Sequence, residues 1–244
     1  MIEDLAFLDP EQLLLNISNG QDPSAEEITQ ILDILEAVVE DSPGRKPSLD
    51  DVYSYLIILG KLKLKEHSHL VERCLELGDP LTAALILQIL CVDWEMAEEY
   101  LERVISFALG VAWDVDQDVQ QTALSIMGEY LADSLSDEAK GLKPELSLTP
   151  YQCRVLDLLL NVFEDEYAEA WTRKSAYYAL GRAYGMPHEK LPAECAVLDF
   201  RADSNDIDRK MLGELSALLE KSKQEPGRLV GNDESLGFPP RASS

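Results

Sequence analysis

Small residues recur in three similar segments of the chain, and this recurrence constrains the fold more than any other feature. In the second and third segments a glycine follows the alanine five positions on, at Gly128 and Gly181. A weaker fourth copy occupies residues 50–60. Small side chains at such intervals let neighbouring helices approach closely, as stacked helical hairpins require. The segments and their aligned alanines are residues 79–85 (Ala84), 118–124 (Ala123) and 171–177 (Ala176).

Signals for helix starts are unusually clear in this chain. Asp9, Pro10 and Glu11 supply an N-cap, a proline at the first helical position and an acid near the positive end of the helix dipole. Capping boxes begin at Ser24 and Thr149. Apolar residues follow the starts at helical spacing and no segment alternates with period two, so we predict no strands. The predicted helices cover residues 10–18, 24–41, 48–60, 66–77, 80–92, 94–112, 117–132, 150–163, 168–184 and 206–222.

The order of small residues in these segments resembles the second helix of HEAT repeats. In that pattern an aspartate is followed by an alanine five positions on and a glycine five further, as at Asp118, Ala123 and Gly128. Ala176 and Gly181 match the later half of the pattern. The aligned alanines lie 39 and 53 residues apart. Because the family's period is about 40–47 residues, the second spacing requires an insertion between the segments.

The resemblance covers residues 50–184 and implies an all-α fold, a HEAT-like helical-hairpin solenoid of about four helical pairs. The insertion would occupy residues 133–149. An arginine expected shortly after the aspartate occurs only as Arg173, which puts an Asp–Arg ladder between repeats in doubt. An irregular α-helical bundle, which also places alanines at close crossings, is the alternative. We predict one helical domain over residues 1–222 and a flexible C-terminal tail over residues 223–244, rich in Gly, Pro and Ser.

The negative charge of the chain is large and unevenly distributed. The net charge is −25, and residues 1–170 carry 35 acids against 10 bases, whereas residues 171–244 carry 11 of each. Such a field repels nucleic acid and anionic membranes and favours a basic protein partner. The alternative is that the acids serve solubility alone.

Cysteine usage and the chain start predict a cytoplasmic protein. The four cysteines lie far apart without a CxxC pair, which is typical of a reducing compartment. The chain begins with acids at Glu3 and Asp4, where a signal peptide would be basic. The longest apolar run, residues 83–92, is too short to span a bilayer, which requires about 20 residues.

Two segments resemble metal-binding patterns but lack the residues that those patterns need. His67 and His69 lie two residues apart, so on a helix they point to different faces, and we expect surface histidines. The acids from Asp114 to Asp118 resemble the opening of a calcium loop, but Val119 and Ser125 stand where that loop needs glycine and glutamate. We predict no metal and no cofactor.

Catalytic motifs are also missing from the sequence. His188-Glu189 is the only His-Glu pair, whereas HEAT-like di-iron hydroxylases need several. No GxSxG motif, Walker-type loop or GxGxxG motif precedes a helix. We therefore predict that the protein is not an enzyme.

Two loops between predicted helices carry the candidate partner-binding residues. Exposed carboxylates there would steer a basic partner, and a tryptophan would anchor it, since Trp, Tyr and Arg are enriched at binding hot spots. We also expect either Tyr177 or Tyr178 to fill the core. The candidates are Trp113, Asp114, Asp116 and Asp118 (with Asp118 as an N-cap) in one loop, and Glu164, Asp165 and Glu166 in the other.

A compact, strongly acidic helical protein without an active site resembles bacterial immunity proteins. This resemblance implies an inhibitor that occludes a basic cytotoxic effector, such as a toxin that attacks nucleic acid or a nucleotide-using target. One alternative is a scaffold or assembly adaptor for cytosolic proteins. Another is a HEAT-like enzyme, such as the bilin-attaching lyases, which a coloured preparation would indicate.

Overall fold

The computed structural model describes residues 8–40, 47–137, 141–142, 146–193, 196–201 and 204–224, and the regular secondary structure of these residues is almost entirely helical. The all-α prediction is therefore confirmed. Three short 3₁₀ turns, at Lys65–His67, Cys74–Leu77 and His188–Lys190, and one π-helical turn, Gln88–Asp93, extend or join the α-helices. The α-helices of the described residues are α1 Pro10–Ser18, α2 Ala25–Val39, α3 Leu49–Leu62, α4 Ser68–Arg73, α5 Pro80–Leu87, α6 Ala97–Ala108, α7 Asp118–Leu135, α8 Pro150–Glu164, α9 Ala170–Ala183 and α10 Arg209–Gln224.

Side-chain caps set most of the predicted helix starts. Ser24, Ser48 and Thr149 each accept a hydrogen bond from the backbone N–H of the N3 residue. The side chain of that N3 residue in turn accepts a hydrogen bond from the backbone N–H of the cap. Asp9 and Asp79 cap α1 and α5, with proline at the first helical position of both. Local chemistry therefore explains these boundaries.

Several predictions of local structure are wrong: the helix predicted over residues 94–112 ends at Ala108, and the one predicted from residue 206 begins at Arg209. The helix predicted from residue 94 begins at Ala97, because Trp94 is fully buried and its indole N–H donates to the Gly60 carbonyl oxygen at 3.3 Å. The connection after α7, predicted without strands, contains a two-residue antiparallel pair, β1 (Ser136–Asp137) with β2 (Gly141–Leu142). Helix α10 includes Lys223 and Gln224, which were assigned to the tail. The remaining tail, from residue 225, lies outside the described residues.

The odd-numbered helices form one layer in which each packs on the next, from α1 through α3, α5 and α7 to α9. The closest approach joins α7 and α9, where a Cβ built on Gly128 would lie 2.6 Å from the Cα atom of Ala179. Ala123 and Ala176 are fully buried in the same layer. The predicted role of the small residues in close helix packing is thus confirmed for this pair.

Exposed ion pairs join four of the even-numbered helices. The pairs link α4 to α6, α6 to α8, and α8 to α10. Their N···O distances are 3.2 Å for Arg103–Glu72, 2.5 Å for Arg154–Glu102 and 3.1 Å for Lys223–Asp157. One continuous cluster of buried apolar side chains lies beneath both sets and includes residues from all ten described helices.

Helices α6 to α9 form two hairpins placed side by side. Helix α6 packs on α7 and α8 packs on α9, each pair being joined by a short loop. Helices α7 and α9 run in the same direction, since Gln117 meets Thr172 at their starts and Glu129 pairs with Arg182 at 3.5 Å further along. The ends of α6 and α8 and the starts of α7 and α9 therefore share one end of the layer, here called the turn end. The opposite end, which holds the starts of α6 and α8 and the ends of α7 and α9, is called the groove end after the groove described below.

Candidate functional site

The two predicted loops lie next to each other at the turn end. The loop of residues 109–117 joins α6 to α7, and the loop of residues 165–169 joins α8 to α9. The Thr172 hydroxyl donates to the side-chain carbonyl oxygen of Gln117 and ties the two loops together. The structure thus brings together candidate residues that lie about fifty positions apart, as stacked hairpins do.

Five of the six predicted carboxylates are exposed at the turn end. Asp165 also accepts a hydrogen bond from the Tyr167 backbone N–H at 2.9 Å, which shapes the second loop. Within the described residues, the side chains of the other four form no hydrogen bond or ion pair with the protein, and their charge faces solvent. The exposed carboxylates are Asp116, Asp118, Glu164, Asp165 and Glu166.

Asp114 differs from the other candidates because it is buried. Its side chain is only 6% exposed, and its Oδ2 atom accepts a hydrogen bond from the Gln120 backbone N–H at 2.9 Å. Gln117 adopts a left-handed backbone with φ of 62°, which turns the loop back over the first turn of α7. The expectation that Asp118 caps this helix is therefore wrong. Asp118 is the first helical residue, and Asp114 supplies the capping carboxylate.

Trp113 lies half-buried within the loop of residues 109–117. Its ring packs edge-on against Phe107, with centroids 6.0 Å apart and an interplanar angle of 70°. It joins the side chains that pack against the main core. Only part of its ring is therefore available to a partner.

Large apolar side chains protrude at the turn end beside the carboxylates. Tyr167 is 90% exposed and Val115 is 80% exposed. Trp171 is half exposed, and its ring stacks on the Lys174 ammonium group at 4.5 Å. Leu109, at the end of α6, is also exposed. None of these four side chains is among the partner-binding residues predicted from the sequence. Leu109, Val115, Tyr167, Trp171 and the five exposed carboxylates are here called the turn-end surface.

The groove end contains a concave acidic site that the sequence analysis missed. A half-open groove of about 460 Å³ lies between the π-helical turn, the first turn of α6, the second half of α7 and the first turn of α8. Val92, Ala97 and Ile126 contribute apolar lining. The carboxylates that line it are Glu95, Glu98, Glu129 and Asp133, and no Lys, Arg or His is among the lining residues. The walls come from three separate stretches of the chain, residues 91–98, 126–134 and 152, so no local motif marks the site.

Tyr130 lies in the groove among these acids. Burial raises the pKa of its phenol, and the nearby Glu98 carboxylate and Tyr151 add to the effect. The phenol is therefore neutral at physiological pH and offers an uncharged hydroxyl. Of the acids, Glu129 is paired with Arg182 at the edge of the groove.

Other chemically reactive groups lie away from both surfaces or are unsuited to catalysis. Burial raises the pKa of the Cys74 and Cys91 thiols to about 12, so both are protonated at neutral pH. His69 is exposed and lies 3.9 Å from Glu72, as a surface histidine. Within the described ranges, no three His, Cys, Asp or Glu side chains are arranged to hold a metal ion. In the same part of the chain, no helix combines the length and the apolar character needed to cross a membrane. Tyr177 is buried and Tyr178 is partly exposed, which confirms that one of the two fills the core.

Comparison of the chain with protein-family models, with curated proteins and with solved structures found no match. The resemblances to HEAT repeats and to immunity proteins therefore stay predictions, and the function is argued from the two surfaces.

Proposed function

We propose that this chain is a non-enzymatic binding protein that docks a basic protein partner on its turn-end surface. The observation that carries the proposal is the combination, at one end of α6 to α9, of five exposed carboxylates with protruding apolar side chains. Tyr167 and Trp171 are large, rigid side chains of the kind that dominate binding energy once water is excluded around them. The carboxylates surround them with negative charge.

Charge gives this surface its expected selectivity. The net charge of −25 attracts a basic protein over distance and repels nucleic acid and anionic membranes. Complementary charge raises the association rate and rejects acidic competitors more than it adds affinity. The affinity itself would come from the apolar side chains.

The order of helix packing supports a HEAT-like solenoid as the scaffold of this surface. Each odd-numbered helix packs on the next odd-numbered helix, as the second helices of consecutive hairpins do in such arrays. The family's Asp–Arg ladder has no counterpart at Asp118, and the exposed ion pairs of the even-numbered helices would take its place. In this view the turn end is one edge of the stack.

The sharpest form of the proposal is an immunity protein. A toxin that attacks nucleic acid or uses a nucleotide needs a basic groove for phosphates, and an acidic protein bound there would block the groove. The groove end favours a second candidate, a scaffold or assembly adaptor, because a protein with separate surfaces at two ends can hold two partners at once.

Affinity capture from the source cells tests the proposal. The bait would be the full chain and its Tyr167→Ala/Trp171→Ala variant, with Leu15→Ala as the control because Leu15 is an exposed side chain on α1, outside this surface. We expect a basic protein to be retained by the wild type and the control, and lost from the variant. An immunity function further requires that this partner arrests growth when it is expressed without the chain. Equal retention by wild type and variant, or an acidic partner, would contradict the proposal.

A further inference from the structure

We infer that the groove end is a second interaction site, which receives a short cationic segment of a partner protein. Lysine or arginine side chains of the segment would meet the carboxylates that line the groove, here called the rim (Glu95, Glu98, Glu129 and Asp133). An apolar side chain between them would cover the apolar lining, here called the floor (Val92, Ala97 and Ile126). The inference concerns the opposite end of α6 to α9 and does not rest on the function proposed for the turn-end surface.

The size of the groove suits a short peptide segment. Its volume of about 460 Å³ lies within the range of roughly 300–1,000 Å³ for sites that enclose small ligands. It is half open and lined by several helices, so a chain can enter from solvent and lie along it. A folded domain could insert only a loop or a terminus.

The floor of the groove provides contacts for an apolar side chain. Val92 and Ala97 are partly exposed there, and the buried side chain of Ile126 lies beneath them. Tyr130 adds a ring face and a neutral hydroxyl. A segment made only of charged residues would leave this apolar surface uncovered.

The rim selects the charge of the segment. Glu95 and Glu98 stand at the start of α6, and Glu129 and Asp133 stand one turn apart on α7. Arg182, the cation beside the groove, pairs with Glu129 at 3.5 Å. Arg154, two residues beyond the lining residue Gln152, pairs with Glu102 on α6 at 2.5 Å. Glu95 and Glu98 both line the groove and are exposed, so a positive segment would relieve the repulsion between them.

The same observations disfavour other occupants. Nucleic acid is repelled by the rim. A metal ion alone would need carboxylates converging on one point, and no such group is found within the described residues. The combination of apolar floor and acidic rim fits a cationic segment with an apolar residue at its centre.

Binding of short synthetic peptides to the full-length chain, followed by NMR amide shifts at low salt, tests the inference. The probe is a capped five-residue peptide of alternating lysine and leucine. Three matched peptides replace its lysines by glutamate, its lysines by serine, or its leucines by serine. We expect the lysine–leucine peptide to shift amides within residues 91–98 and 126–134 at millimolar concentration or below, and the other three to bind more weakly or not at all.

Paired variants assign the site. Glu95→Gln/Glu98→Gln removes two exposed rim charges and should weaken the peptide roughly fivefold to tenfold, the effect of two exposed ion pairs. Glu164→Gln/Glu166→Gln makes the same charge change at the turn end and should leave peptide affinity unchanged. Shifts confined to the turn end, no shifts at millimolar peptide, or equal weakening by both variants would overturn the inference. If the peptide in which serine replaces lysine binds as tightly as the lysine–leucine peptide, the selection for positive charge would be overturned.

Discussion

The two ends of α6 to α9 present opposite kinds of surface from the same four helices. At the turn end, Tyr167 and Val115 protrude from loops into solvent, with carboxylates around them. At the groove end, the acids line a concave site with an apolar floor. A protruding surface suits insertion into a partner's cleft, whereas a groove suits a segment that comes to it. The comparison shows that an excess of acids along a chain does not by itself determine how it recognises a partner.

A substitution at the close contact between α7 and α9 should give the largest loss of stability. In Gly128→Ala, the new methyl group would lie 2.6 Å from the Ala179 Cα atom, and a backbone atom cannot move aside as a side-chain tip can. We expect a loss of about 3 kcal/mol in the free energy of unfolding, the upper end for overpacking. Urea denaturation followed by circular dichroism measures it.

Gly213→Ala is the matched control for this change. A Cβ built on Gly213, in α10, meets no atom within 4 Å. Alanine there should stabilise the helix by about 0.5–1 kcal/mol, because glycine loses more backbone freedom on folding. Destabilisation of similar size in both variants would refute the close α7–α9 crossing.

Prediction from sequence succeeded where the signal is local. The starts of α2 and α8 depend on capping boxes within four residues, and both were predicted to within one position. The start of α6 was misplaced because Trp94 bonds to Gly60, a contact that spans thirty-four positions. The close crossing at Gly128 was predictable because glycine destabilises a helix interior and is favoured there mainly where another backbone comes close.

The candidate site shows the same division. The exposed turn-end acids occur in two short segments, residues 116–118 and 164–166, so their joint exposure could be predicted from the loops that hold them. The burial of Asp114 depends on the left-handed backbone at Gln117, which no local motif indicates. The groove acids Glu98 and Asp133 come from different helices, and only the packing brings them together.

The apolar side chains of the turn end should give the next largest effect, on binding alone. The double change Tyr167→Ala/Trp171→Ala should weaken binding of the partner by about 2 kcal/mol or more, the size typical of hot-spot residues. Since both side chains are exposed, the urea midpoint should shift little. Titration calorimetry with the captured partner measures the affinity. Affinity lost in proportion to stability would indicate a structural role instead.

Substitutions of Asp114 and of Asp116 should distinguish an acid that stabilises the fold from one that only carries surface charge. Asp114→Ala removes the cap on Gln120 and should lower the free energy of unfolding by about 1 kcal/mol. Asp116→Ala, an exposed neighbour in the same loop, should change it by less than about 0.5 kcal/mol. Paired urea titrations decide between the two, and similar values would mean that the Asp114 contact adds nothing.

The ion pairs of the even-numbered helices should give the smallest effect. Arg154→Ala breaks the link to Glu102, and an exposed pair of this kind contributes about 0.2–1 kcal/mol. The difference from wild type should shrink as salt rises, because ions screen exposed charges. Thermal unfolding in low and high salt measures it. A difference that persists in high salt would point to lost packing of the arginine stem.

The association rate of the captured partner, measured against ionic strength, tests the central claim most directly. We predict a rate constant that falls steeply from low to high salt, and a much shallower fall for the variant Asp116→Asn/Glu164→Gln/Glu166→Gln. The dissociation rate should respond to Tyr167→Ala/Trp171→Ala instead. An association rate that is independent of salt, or that responds equally to Glu95→Gln/Glu98→Gln, would contradict docking through the turn-end surface.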